Sequence, residues 1–241
     1  MAVTDPVLEA RELYRFYHAG PEETLALRGV SVAVRAGEIV AVVGPSGSGK
    51  STLLACLAGL DEPDGGTVTV AGEVMTRRSE TERAGLRARR IGMLFQSANL
   101  LEAFTVDGNV ALAQRLAGNP DSTGRAALLA DLGLAARSGA YPAELSGGEA
   151  ARAGLAVALA NDPPVILADE PTGEVDGAAE ASVLALLRAR ADAGAAIVVV
   201  THSPAVAAAA DRTVALFDGR VVDGDVLDRE AAMREPGVRS A

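Results

Sequence analysis

The stretch Gly44-Pro45-Ser46-Gly47-Ser48-Gly49-Lys50-Ser51 places three glycines, three hydroxyls and an ammonium within eight positions. Glycines let successive backbone N–H groups converge on one anion, and a helix that starts where the loop ends adds partial positive charge. Lys50 is the only lysine among 22 basic residues, the other 21 being arginine. Arginine thus serves wherever a generic positive charge suffices, and position 50 is where a compact ammonium must fit inside a tight loop. The chemistry is that of a phosphate cradle. Lys50 is expected to neutralise β- and γ-phosphate oxygens, the Ser51 hydroxyl to ligate Mg2+, and Thr52 to close the binding stretch.

Two further constellations extend this chemistry. Val165-Ile166-Leu167-Ala168-Asp169-Glu170 is an apolar strand that delivers two carboxylates at its C-terminal end, where open α/β sheets bind ligands. Neighbouring strand residues face opposite ways, so Asp169 is expected to hold metal through water while Glu170 polarises an attacking water as general base. Leu145-Ser146-Gly147-Gly148-Glu149 reads first as a capping box, with Glu149 three residues after Ser146. Two glycines in a first helical turn weaken the helix without structural gain unless the backbone must approach something closely. A second anion site there would suit a γ-phosphate.

The elements around these residues must form a platform for them. Val30, Val32 and Val34 alternate with small or polar residues as in a half-buried strand, whereas Ile39 to Val43 is continuously apolar as in a fully buried one. Similar runs stand at Val68 to Val70, Ile91 to Phe95, Val165 to Ala168, Ile197 to Val200 and Val214 to Phe217. Helical patterns at Ser51 to Leu60 and Ala178 to Ala193 alternate with them, so the expectation is a parallel α/β sheet. Asp218-Gly219 reads as a hairpin turn. From Asn99 to Ala160 no strong strand occurs, and Val110 to Leu116, Arg125 to Leu134 and Ala150 to Ala160 predict a helical insertion. The residues from Arg229 onward show no terminal anchor and are expected to fray.

Composition excludes several classes. A formal charge of −10 argues against a chain that tracks nucleic acid by bulk electrostatics. The basic run Arg77 to Arg90 alternates with Glu80 and Glu82 and reads as a solvated helix face. No apolar stretch approaches the roughly 20 residues of a membrane-spanning helix, and the N-terminus, with Asp5 and Pro6, does not read as a secretory leader. A cytoplasmic location is therefore expected. The lone Cys56 lies in the apolar run Leu53 to Leu60 and reads as a small buried hydrophobe.

Taken in order, the phosphate loop, Gln96 after the Ile91 to Phe95 strand, Leu145-Ser146-Gly147-Gly148-Glu149, Asp169-Glu170 and His202 resemble the ATP-binding cassette (ABC) ATPases over nearly the whole chain. The resemblance implies a single domain, residues 1–241, with a P-loop NTPase (RecA-like) parallel-sheet core at about 1–96 and 160–228. It adds an N-terminal antiparallel β subdomain, an inserted α-helical subdomain at about 97–159 and a flexible tail at 229–241. It implies ATP and Mg2+ as cofactors, with Mg2+ held by Ser51, Gln96 and Asp169. It makes Glu170, His202, Gln96 and Lys50 catalytic, His202 as a switch on the γ-phosphate. Tyr17 resembles the aromatic that stacks on adenine, with Tyr14 as the alternative, and Asp176 resembles the aspartate that contacts the opposite subunit.

In this family the signature, Ser146 to Glu149, closes over the phosphate loop of another subunit, so a second ATPase subunit is implied, most simply a homodimer. An integral-membrane permease is the implied further partner, with the ATPase at the inner face of the cell membrane and no nucleic acid involved. Gly59-Leu60-Asp61-Glu62-Pro63-Asp64-Gly65-Gly66 and Glu149 resemble the lipoprotein-release, macrolide-export and FtsE-type branch. An FtsE-like ATPase that transmits force without cargo is the alternative. A non-transport ABC protein is disfavoured by the single cassette and the 95 residues between Lys50 and Ser146. Two departures stand out: Val157 occupies a position where the family usually has arginine, and Val175 replaces the usual leucine before Asp176.

Overall fold

The computed structural model describes residues 5–19, 22–95, 99–173 and 177–222, so the expected tail lies outside the described residues. The chain begins with β1 (Leu8–Ala19), β2 (Glu22–Val34) and β3 (Ile39–Val43), followed by α1 (Lys50–Leu57), β4 (Gly65–Val70) and β5 (Glu73–Val74). Then come α2 (Glu80–Arg90) and β6 (Ile91–Leu94), and a helical stretch with α3 (Val106–Leu116), α4 (Ser122–Asp131) and α5 (Gly147–Ala158). The last part alternates β7 (Val165–Asp169), α6 (Gly177–Asp192), β8 (Ala196–Val200), α7 (Pro204–Ala209), β9 (Arg212–Phe217) and β10 (Arg220–Val222).

Two sheets result. One is antiparallel in the order β2-β1-β4-β5. The other runs β10-β9-β3-β8-β7-β6, parallel except for the β9–β10 hairpin. The expected turn is present: Asp218 and Gly219 both take positive φ, 45° and 72°, as a two-residue turn between twisted strands demands. Val68 to Val70, grouped by its sequence with the parallel strands, instead belongs to the antiparallel sheet. Its period-2 burial suits a strand covered on one face, and only the sheet pairing distinguishes that from a short parallel strand.

β1 has no counterpart in the sequence reading. Leu8, Ala10 and Leu13 are buried, but the step from Ala10 to Leu13 breaks the alternation. The break is a bulge, with Glu12 at φ 50° and a register shift against β2, which moves the apolar phase by one residue.

The parallel strands are apolar throughout because both faces are covered. Val40, Val42, Leu167, Val198 and Val200 pack with α1 and the antiparallel sheet. Ile39, Ile166, Ala168, Ile197 and Val199 pack on the opposite side with Val106, Leu129 and Leu155 of the helical stretch and Leu187 of α6. The inserted helices therefore share a core with the sheet. Gly92 permits the contact, since a Cβ there would lie 2.3 Å from the Ala158 carbonyl. Cys56 is fully buried as expected, and burial pushes its thiol up to about 12. Ser79 and Glu82 form a capping box on α2, with Arg87, Arg89 and Arg90 in its last turn.

Candidate functional site

Strand order brings the chemistry together. β3 and β7 are separated only by β8, and all three run parallel, so their C-terminal ends open side by side. Lys50 follows β3, Asp169 and Glu170 end β7, and His202 follows β8. All four line one cleft of about 380 Å³, together with Tyr17, Ser46, Gly47, Gly49, Ser51 and Thr52.

The phosphate loop is rigidly braced. Gly44 takes φ 153°, and a Cβ there would lie 2.0 Å from the Leu216 carbonyl of β9. Gly49 takes φ 103° as N-cap of α1, where no side chain caps the helix, so its first N–H groups face the loop. Gly219 N donates to the Ser48 carbonyl at 3.0 Å, so the β9–β10 turn buttresses the loop. This role has no local signal in the sequence. Lys50 is 8% exposed, and its Nζ donates to the carbonyls of Gly44 (2.7 Å) and Pro45 (2.9 Å). The ammonium thus lies over the mouth of the loop that it would share with a phosphate.

The two carboxylates differ, though not through strand alternation. β7 ends at Asp169, and Glu170 leaves the strand with φ 47°, so both side chains enter the same cleft. Left-handed backbone at a residue with a Cβ stores about 1–3 kcal/mol of strain and is held only by its surroundings. Glu170 N donates to the Val200 carbonyl, and Glu170 Oε2 accepts from Thr201 Oγ1 (3.2 Å) and His202 N (3.4 Å). Its Oε1 lies 2.9 Å from His202 Nδ1, at ion-pair distance but without hydrogen-bond alignment. Burial pushes the Asp169 carboxyl up, opposed by Lys50, the Ser51 hydroxyl and His202. A half-buried carboxyl beside a hydroxyl is a donor set that suits a hard divalent cation, so these residues fit Mg2+.

Of the two candidate tyrosines, Tyr17 lines the cleft and Tyr14 packs against Gly29 and Gly65. The Tyr17 hydroxyl donates to Asp61 Oδ2 at 2.6 Å, and the Arg15 guanidinium lies 4.7 Å from its ring centroid. Arg15 in turn pairs with Asp61 (2.8 Å) and Asp64 (3.0 Å). Neither Arg15 nor Asp61 carries a site signal of its own in the sequence, Asp61 standing only within the Gly59 to Gly66 stretch.

Ser146 to Glu149 lie apart, and none of them lines the cleft. Ser146 caps α5, and the expected capping box with Glu149 is complete. Gly147 and Gly148 are helical, and a Cβ at Gly148 would make only ordinary contact with Ala179 Cβ at 3.4 Å. Among the described residues nothing requires glycine at position 148. Gln96 and Asp176 lie outside the described residues.

This fold and site define a P-loop nucleotide-binding cassette with an inserted helical subdomain. Residues 27–173 match the family model described as ABC transporter, and the chain belongs to that family. It is 44% identical over 221 residues to the macrolide export ATP-binding/permease protein MacB of Rhodospirillum rubrum, covering 90% of this chain and 34% of that protein. MacB of Escherichia coli strain K12 is 43% identical over 220 residues, covering 90% and 34% respectively. The chain thus spans about a third of the length of these curated relatives. Among solved structures, the dimeric bacterial ABC transporter cassette MJ0796 aligns with a TM-score of 0.82 at 33% identity, covering 91% of this chain and 98% of that one. The same cassette in a dimeric post-hydrolysis state bound to ADP and Pi aligns equally well.

Proposed function

We propose that the chain binds and hydrolyses ATP as the nucleotide-binding subunit of an ABC transporter, pairing through its signature with a second ATPase subunit and driving a membrane permease. One observation carries the reading: Lys50, Asp169, Glu170 and His202 converge in one cleft, while the anion-ready end of α5 lies outside it. A site with half of its groups missing from its own chain is completed by another copy.

In this reading the loop amides of Gly44 to Ser51 and Lys50 hold the β- and γ-phosphates, Thr52 closes the loop, and Tyr17 stacks on adenine. Ser51, Asp169 and Gln96 hold Mg2+, which when bound neutralises phosphate charge. Glu170 takes a proton from the attacking water while His202 fixes that carboxylate and contacts the γ-phosphate. Ser146, Gly147, Gly148 and Glu149 of the second subunit close the far side, with Asp176 at the junction. Phosphoryl transfer then depends on positioning and charge stabilisation. ATP would join the two subunits and hydrolysis release them, and that cycle moves the permease.

A groove of about 450 Å³ beside β6 supports a permease partner, with the exposed side chains Leu60, Phe95 and Leu116 on its rim. Val157, where the family usually carries arginine, lines it and packs on the core, so that departure removes a charge from the groove rather than disturbing the cleft.

Glu170→Gln tests the reading. It is expected to lower hydrolysis by about 10²- to 10⁴-fold and to leave an ATP-dependent dimer in sedimentation velocity. Unchanged turnover would remove Glu170 as the base. Co-purification in detergent with the permease encoded by an adjacent reading frame tests the partner, and its absence would count against a separate permease.

A further inference from the structure

The signature end of α5 poses an electrostatic problem of its own. If it faces the triphosphate held by a second copy, as the reading above requires, Glu149 brings a negative charge towards an anion. Glu149 Oε2 accepts from Ser146 N at 2.8 Å and from Ser146 Oγ at 3.0 Å, completing the capping box. That job needs acceptors, not charge, and a glutamine carbonyl oxygen would serve it. The charge strengthens those bonds but is not needed to form them.

Its partner comes from elsewhere in the chain. Arg137 Nε donates to Glu149 Oε1 at 2.8 Å, and among the described residues Arg137 is the one cation within ion-pair distance of Glu149. Arg137 sits on a short 3-10 turn, Ala135–Arg137, following the fully buried Leu134. The turn is tied down: Arg137 N donates to the Leu134 carbonyl, Ala140 N to the Arg137 carbonyl, and Val106 N and Asp107 N to the carbonyls of Ala140 and Ser138. The other charged neighbours are committed differently. Glu144 Oε2 accepts from Tyr141 N, and Arg152 Nε donates to the Leu132 carbonyl. The Arg137 side chain is 49% exposed, and such pairs add little to stability. Its consequence is local charge. With Arg137 in place the helix end keeps the partial positive charge of its N–H groups; without it, one full negative charge outweighs about half a positive one.

We propose that Arg137 is a positioning residue of the signature half-site: it neutralises Glu149 and turns that carboxylate back onto the helix cap, so that α5 presents only its N–H groups to ATP bound in a second copy. The inference rests on the ATP-bridged dimer proposed above.

The test measures the ATP concentration that half-saturates dimerisation, by light scattering, with Glu170→Gln present in every protein to suppress hydrolysis. Arg137→Ala should raise that concentration about tenfold, equivalent to about 1.4 kcal/mol, and Arg137→Lys should recover most of the loss. When Glu149→Gln is also present, Arg137→Ala should change it by less than about twofold, about 0.4 kcal/mol. Binding of a fluorescent ATP analogue to the monomer should be unaffected by Arg137→Ala. An equal loss with and without Glu149→Gln would make Arg137 a merely structural support and overturn the inference. So would the absence of any loss, or weaker binding by the monomer. If the parent forms no ATP-dependent dimer, the dimer reading falls and the inference with it, an outcome distinct from a dimer that forms without the predicted coupling.

Discussion

The phosphate loop and the signature end of α5 are both helix N-termini that display backbone N–H groups, yet they are built in opposite ways. α1 begins at Gly49 with no side-chain cap, its loop pressed against Leu216 and Ser48 tied to Gly219, so the amides are held open by packing from behind. α5 begins at Ser146 with a full capping box, and Ser146 and Gly147 are exposed. The first surface is braced by its own chain and arranged around a cleft. The second is braced only locally and offers its face outward. In the proposed function one half-site is finished by folding and the other by association, as a subunit whose catalytic state exists only in pairs would require.

This contrast can be broken by substitution. Lys50→Arg keeps the charge but replaces an ammonium that reaches two loop carbonyls by a planar fork. It should lower ATP turnover roughly 10²-fold, and wild-type activity would mean that the solitary lysine has no special role. Gly44→Ala should destabilise the fold by about 3 kcal/mol or more, since the new Cβ collides with backbone rather than a movable side chain. Chemical denaturation measures it, and a change under about 1 kcal/mol would show that the loop is not braced as described.

On the other half-site, Ser146→Ala removes a cap and should cost only about 1 kcal/mol in stability, while its larger effect appears in ATP-driven dimerisation. Equal losses in monomer nucleotide binding and in dimerisation would place the signature in the cis site instead.

The smallest effect concerns pH. The Ser146 backbone N–H, Arg137 and the Ser146 hydroxyl hold Glu149 down at about 2, against an ordinary 4.5. A carboxyl depressed by folding stabilises the protein above its unfolded value and loses that contribution as pH falls from about 4.5 towards 2. The stability difference between wild type and Glu149→Gln should accordingly shrink across this window in urea titrations. A constant difference would show that the charge of Glu149 plays no part in the cap.

How much of this could be read in advance depended on how local the cause was. The phosphate loop, the Ser146 cap and the Asp218-Gly219 turn are each specified within eight residues, by glycine spacing or side-chain capping, and all three were legible. β1 was not, because the bulge at Glu12 shifts the apolar phase midway and leaves no continuous period. The membership of Val68 to Val70 in the antiparallel sheet was hidden because three alternating residues carry no information about their partner. At the cleft, Arg15 and Asp61 escaped notice because they are 46 residues apart and act on Tyr17 only through the fold.

The sequence by itself determined the kind of chemistry: a single lysine among glycines, adjacent carboxylates after an apolar strand, and a capped helix with two surplus glycines. The reasons are short-range, since glycine conformation, strand periodicity and helix capping act over a few residues. Tertiary structure alone decided which of those groups meet. The order β3-β8-β7 placed Lys50, Asp169, Glu170 and His202 around one cleft and left Ser146 to Glu149 outside it. That order is set by which apolar faces pack against which helices, an outcome of the whole core rather than of any single segment.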